Sequence, residues 1–423
     1  MRIIESQTEI SYFLEKWNSQ PSLIVPVSVD LELHPLNNSL SFLYVRQEDD
    51  TFILPFNHVD CKSVQLDLSQ STQTKWVWDM KSLLHYNLGI QNLKDIQAHS
   101  FFTQNTLLEF KPEEQPFISH YNRLGIRERL GKISPIMKWV EYLNSLFKSI
   151  PLTQSIRQNW IDDTMIPILS DIEQWGVGVD REKFIDRFPH STKHLKGNSI
   201  YTQYNPYTIT SRPSNRHGGI NYSALNKGDG TREVFIPKPN HIFLQMDYDG
   251  YHPRIIGKLI GYELPKTSVH QWLADQYGCT YEEGKGITFQ LLYGGIPSEF
   301  EEIPYYKGVK EFIQRLWEKS STDGYLQTKH RRIPLEWIEG NNPQKLFNYL
   351  LQATETELNM ERLKLILEFI KQTEIELPLY TYDSFLFSYP IDGDTTLAKR
   401  LKEIVEGGGF PIKASWGTDY SKL

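Results

Sequence analysis

Asp247 closes the apolar run IFLQMD, and Asp383 stands at the turn of a hairpin whose arms, LYTY and FLFSY, are rich in β-forming aromatics. A carboxylate at a strand end is held by rigid backbone and can still face a cleft. If the two strands are neighbours in one sheet, both carboxylates can grip one pair of divalent cations ~4 Å apart, which activate an attacking oxygen and stabilise a leaving one. Between them in sequence, Lys285, Phe289 and Tyr293 follow at spacings of four. At ~100° per residue on a helix these fall within ~80° of one face, so an ammonium, a ring and a phenol point the same way. Such a face can pair a triphosphate with Lys285 while its rings stack on a base or sugar. Taken singly, aspartates at turns and aromatic stripes read as surface and core, so the chemistry rests on the combination.

Hydrophobic periodicity gives the elements that must position these residues. Runs 23–29, 40–46 and 51–56 are spaced like strands of a meander, and 75–86 and 136–147 read as helices, an α/β module over residues 1–150. After a break at Pro151, a helix over 160–175 stops at Gly176 and Gly178. Residues 180–210 are polar, with no apolar period long enough for a helical hairpin. A strand over 242–247, helices over 251–260, 283–293 and 343–372, a hairpin over 379–389, a helix over 395–406 and a strand over 410–416 complete the chain.

Composition limits the possible functions. The 423 residues suffice for about three modules. With 45 basic and 52 acidic residues the net charge is −7, so a nucleic acid has to be held by local basic patches; residues 191–260 supply one, with nine Lys or Arg against four Asp or Glu. Only Cys61 and Cys279 occur, which excludes a disulfide framework and a zinc-finger spacing. Arg2, Glu5 and Glu9 interrupt the start, and no apolar run of 18 residues follows, so the expectation is a cytoplasmic chain with no membrane contact.

In this order the motifs resemble those of the family-A DNA polymerases, the DNA polymerase I family. MDYDGYHPR at 246–254 resembles the first palm motif, with Asp247 as metal-binding aspartate, the Tyr248 carbonyl as a further ligand and Arg254 as the closing arginine. KGITFQLLYGG at 285–295 is similar to the fingers helix, with Lys285, Phe289 and Tyr293 in matching places, and YTYDSFLF at 380–387 to the last palm motif, with Asp383 as the second metal ligand. TSRPSN at 210–215 is similar to the Thr-Gly-Arg segment, with Arg212 on the primer-template. Asn348 and Gln352 match two duplex-contacting positions, and residues 168–180 look like the segment joining exonuclease and polymerase domains. VDLEL at 29–33 resembles the first motif of a 3′-to-5′ exonuclease, with Asp30 and Glu32 on one face of a strand and Asp79 as the second-motif acid.

The resemblance implies an α/β and α+β chain: an RNase H-like exonuclease-type domain (1–150), a connecting helix and reduced thumb (151–210), palm (211–262), helical fingers (263–342) and the rest of the palm (343–423). It implies primer extension with dNTPs on primer-template DNA, Asp247 and Asp383 binding two Mg²⁺ (or Mn²⁺) and Lys285 neutralising phosphate charge. Phe289 at its place implies discrimination against dideoxynucleotides. A processivity factor or other replication protein is a further expected partner. The alternative is a catalytically weak replication accessory that binds primer-template or a partner protein.

Four departures qualify these expectations. The exonuclease's closing Tyr-x-x-x-Asp, or His with Asp five later, is absent. Tyr281 replaces an arginine that contacts the incoming triphosphate, leaving Lys310 or Arg315 to serve from elsewhere. His252 stands where the family has an acid under the sugar, and Ser384 follows Asp383 where it has Glu. Only about thirty residues are left for a thumb, since two ~30 Å helices need ~20 residues each. A thumbless miniature is therefore expected, with Lys193, Lys196, Arg212 and Arg216 partly compensating through phosphates.

Overall fold

The computed structural model describes residues 1–33, 35–56, 61, 66–109, 115–147, 159–215, 220–340 and 342–423. The chain divides into two units: residues 1–174 with 188–203, and residues 175–187 with 204–423. The stretch 151–210, expected as connector and reduced thumb, is thus shared between them, and Arg216 lies outside the described residues.

Val, Ile, Phe and Tyr at alternate positions make the first unit's strands, since branched and aromatic side chains pack well on a pleated surface. Strands β1 (Arg2–Ile3), β2 (Ser22–Ser28), β3 (Leu40–Gln47), β4 (Asp50–Pro55), β5 (Lys75–Val77) and β6 (Leu93–Asp95) form a mixed sheet in the order β1-β4-β3-β2-β5-β6. Helices α1 (Gln7–Ser19), α2 (Met80–His85), α3 (Ile96–Gln104), α4 (Gln115–Arg123), α5 (Ile126–Gly131), α6 (Ile133–Leu146) and α7 (Ile166–Glu173) accompany it. Phe42 and Tyr44, two apart on β3, share a core with Trp139 and Val140 of α6. The helix expected over 75–86 is corrected. Lys75, Trp76 and Val77 pair in parallel with Ser22, Leu23 and Ile24, and α2 begins only at Met80, where the Asp79 carboxylate accepts from the Ser82 amide at 3.0 Å. A strand-forming triplet followed by an N-cap residue outweighs the apolar spacing.

In the second unit α8 (Arg181–Arg187) precedes β7 (His241–Tyr248), α9 (Tyr251–Ile260), α10 (Val269–Tyr277), α11 (Tyr281–Gly294), α12 (Pro304–Asp323), α13 (Pro343–Ile370), β8 (Glu376–Thr381), β9 (Ser384–Pro390), α14 (Thr395–Glu406) and β10 (Ile412–Gly417). The four strands form an antiparallel sheet ordered β8-β9-β7-β10. The 28-residue α13, ~42 Å long, packs against α9, α11, α12 and α14, so it can carry side chains to several elements at once. Residues 181–210 hold no helix longer than the seven residues of α8. Among the described residues no helix is long and apolar enough to cross a membrane.

Candidate active site

The sheet brings the two aspartates together. Strands β7 and β9 are hydrogen-bonded neighbours with Asp247 opposite Ser384, and the Tyr248 amide donates to the Asp383 carbonyl at 3.0 Å. Tyr382 and Asp383 make the turn between paired Thr381 and Ser384. Tyr382 has φ +56°, a left-handed conformation that a hairpin this short usually gives to glycine. Asn359 of α13 holds it there. Its amide donates to the Tyr382 carbonyl at 2.5 Å and the Tyr380 hydroxyl at 2.9 Å, while its oxygen accepts from Tyr251 at 2.8 Å.

One buried amide therefore ties α13 to the Asp383 turn and to α9. Replacing Asn359 with alanine strands the buried Tyr251 and Tyr380 hydroxyls and should cost ~2–3 kcal/mol of stability in a urea titration. A loss below ~0.5 kcal/mol would show that the bonds do not hold the turn.

Asp247 and Asp383 line one cleft of about 230 Å³ with Arg212, His252, His270, Tyr281, Lys285, Phe289, Tyr293, Glu355 and Lys413. Burial, then the charge of Asp383, pushes the Asp247 carboxyl up to about 7; Lys227, Lys413 and Lys285 oppose the shift. Burial and Glu355 push the Asp383 carboxyl up, against the pull of His252 and Arg212. Glu355, one α13 turn before Asn359, lies 2.9 Å from the Arg212 guanidinium and 3.3 Å from His252 Nε2. The other ring nitrogen of His252 hydrogen-bonds the Tyr293 hydroxyl. The His252–Tyr293 hydrogen bond thus ties α11 to α9, with Glu355 of α13 beside the same ring.

The expected face of α11 is present. Thr280 and Glu283 form a capping box that starts the helix, and Gly284 lets α10 come close: a Cβ there would stand 2.5 Å from that of Ala274. Phe289, 38% exposed, stacks on Tyr293 with ring centroids 5.9 Å apart and planes at 11°. Lys285 lies on the same cleft.

Other expected residues are placed differently. Arg254, expected either to contact the primer-template or to support the site, is buried and turned inward, donating to the carbonyls of Asp249, Pro265 and Thr267, which places it as support and not as a DNA contact. Lys310 pairs with Glu301, and it and Arg315 line a separate groove; neither stands in for an arginine at 281. Arg212 lies in the cleft, its guanidinium 3.6 Å from the Tyr382 ring centroid. Asn348 donates to the Tyr293 carbonyl at 3.5 Å, and Gln352 accepts from Thr210 at 3.4 Å.

In the first unit, Asp30 and Glu32 do not sit on a strand, because β2 ends at Ser28 after a register shift. Asp30 instead closes a local turn, accepting from the Glu32 amide at 2.9 Å. Asp79 caps α2, Lys193 pairs with Glu32 at 3.8 Å, and Lys196 donates to the Leu36 carbonyl at 2.7 Å.

Spacing did not reveal Asp249, His270, Glu355, Asn359 or Lys413. Asp249 is buried 2.6 Å from Lys413 and 3.4 Å from Arg254, which hold its carboxyl low against the opposing effect of burial. His270 is held below its usual range by burial and Lys285, and its ring lies between Tyr281 and Phe289 at 6.2 and 5.8 Å. Asp249 alone had a sequence signal, its place in the acidic strand-end segment.

Among the described residues no three His, Cys, Asp or Glu side chains converge as a metal cage. Two hard carboxylates, one pushed up by the other's charge, are still a donor set suited to Mg²⁺, which usually binds through one or two carboxylates and substrate phosphates.

No protein-family model matches the chain. Among solved structures it is similar to the POL domain of Pol1 from M. smegmatis in complex with DNA primer-template and dNTP, with a TM-score of 0.69 at 12% identity over the whole of both chains. At that identity the likeness shows a shared fold and no more.

Proposed function

We propose that the second unit is a DNA-templated DNA polymerase of the family-A type, adding dNTPs to a primer 3′-hydroxyl. The observation that carries this reading is the shared cleft, where two half-buried carboxylates, one ending β7 and one in the β8–β9 turn beside it, share a lining with Lys285, Phe289 and Tyr293 of α11. The similar POL domain, in complex with DNA primer-template and dNTP, supports the same partners here.

In this reading Asp247, the Tyr248 carbonyl and Asp383 hold Mg²⁺, which supplies Lewis-acid activation of the attacking hydroxyl and of the phosphates. Lys285 offsets charge developing on the phosphates. Phe289 stacks near the sugar, and Tyr293, fixed by His252, packs under the templating base. Glu355 keeps His252 and Arg212 in place, and Arg212, Asn348 and Gln352 face the primer-template. Extension of a labelled primer on a DNA template with Mg²⁺ and four dNTPs tests the reading; purified protein that extends nothing would overturn it.

The finer features belong to the same proposal. The short elements of residues 181–210 leave no long helix for a thumb, so grip on duplex is weak and products per binding event are short unless a processivity factor clamps the DNA. The first unit is an exonuclease-like scaffold without catalysis, because Asp30 is spent on its own turn, Asp79 on a helix cap, and Glu32 faces Lys193. Single-stranded DNA should therefore survive incubation with the protein. Any degradation should be unchanged in the Asp30→Ala/Glu32→Ala variant, and loss of a clear nuclease activity in that variant would reverse the assignment.

A further inference from the structure

A polyphosphate entering the cleft meets cations from two directions. Lys285 comes from α11, one turn after Tyr281. Lys413 comes from the sheet, where it lies opposite Asp247 in the β7–β10 register. Tyr281 lines the same cleft, its ring centroid 6.0 Å from the Lys413 ammonium. Lys285 and Lys413 thus line one cleft with Asp247.

The charge around Lys413 does not cancel. Its ammonium lies 2.6 Å from Asp249, but the same carboxylate also faces Arg254 at 3.4 Å. Two cations share one anion, so the trio is left with a surplus of one positive charge. Arg254 is buried with its donors satisfied by carbonyls, whereas the Lys413 side chain is 61% exposed. The surplus is therefore presented to the cleft at Lys413. Of the other cleft cations, Arg212 is committed to Glu355 and to the Tyr382 ring.

We infer that Lys413, held by Asp249 against Tyr281, is a nucleotide-binding residue that takes the triphosphate of the incoming dNTP from the sheet side, opposite Lys285. The inference rests on the polymerase reading and deepens it: part of the triphosphate's grip comes from the immobile sheet and not from the helix that carries Lys285. A charge-assisted contact of this kind supports roughly 10- to 100-fold in binding.

The test compares wild type with Lys413→Gln, Lys413→Arg and the double variant Lys413→Gln/Tyr281→Arg in steady-state primer extension. Lys413→Gln should raise KM for dNTP about 10- to 100-fold with primer-template affinity unmoved; Lys413→Arg should stay within about threefold of wild type. Arginine at 281, entering the same cleft, should restore most of the lost affinity. A second readout needs no catalysis: binding of inorganic tripolyphosphate, followed by calorimetry, should weaken in Lys413→Gln by a similar factor.

If wild type extends primers and Lys413→Gln leaves both KM and tripolyphosphate binding within twofold, Lys413 is only a partner of Asp249 and the inference fails while the polymerase reading stands. If wild type extends nothing, the polymerase reading fails. Unchanged tripolyphosphate binding in the variant would then dismiss Lys413 as well.

Discussion

Replacing Asp383 with alanine should reduce primer extension on the order of 10³-fold or more, with primer-template affinity within a few fold of wild type. The size follows from where the carboxylate sits. It is at the tip of a turn locked by Asn359, beside Asp247 on the neighbouring strand, in a cleft whose buried acids are already paired, Glu355 with Arg212 and Asp249 with Lys413 and Arg254. Glu355→Gln makes the contrast, since it leaves both aspartates but loosens Arg212 and the His252–Tyr293 pair; its loss should be smaller, roughly 10- to 100-fold. Rapid-quench extension on one primer-template measures both. Extension by Asp383→Ala within tenfold of wild type would remove Asp383 from the chemistry and with it the catalytic reading of the cleft.

The residues legible in the sequence share one property: their environment is set by local backbone. Asp247 ends a strand, Asp383 sits in a hairpin turn, and Lys285, Phe289 and Tyr293 lie on one helix, so period and turn chemistry were enough to place them. Helices α9 and α14 begin and end where their apolar spacing and flanking residues put them. The residues not legible depend on contacts across long sequence separations. Lys413 reaches the cleft only because β10 pairs with β7 in a register that sets it opposite Asp247, and nothing in its own segment states that register.

Glu355 looked like one more polar residue of a long helix until Arg212 and His252 converged on it. For Arg254 the sequence left two roles open, primer-template contact or site support, and only the fold shows three carbonyls and Asp249 absorbing its donors. Asp30 and Glu32 had the alternation of a strand face, but β2 stops two residues short of them and the backbone turns.

The cleft also stores a cost that one substitution should release. The Asp247 carboxyl is pushed up to about 7 in the folded chain, against an ordinary value of 3.8. Between those two pH values the folded state holds a proton that the unfolded state has lost, so stability falls as pH rises from about 4 to about 7 and stays reduced above it. Three pH units, with the opposing lysines already included, correspond to ~4 kcal/mol; because Asp247 and Asp383 titrate as a coupled pair, the expected share of Asp247 is about 2–4 kcal/mol. Asp247→Asn has no charge to desolvate. Without divalent cation it should melt roughly 5–10 °C above wild type at pH 8 and within about a degree of it at pH 4, while extending no primer. Added Mg²⁺ at pH 8 should narrow the gap by stabilising wild type more than the variant, because a cation between the two carboxylates screens the repulsion that the substitution abolishes. Scanning calorimetry at the two pH values, with and without Mg²⁺, checks each step. A gap of equal size at pH 4 and pH 8 would mean that the effect is packing and that the carboxyls are not the crowded pair on which the catalytic proposal depends.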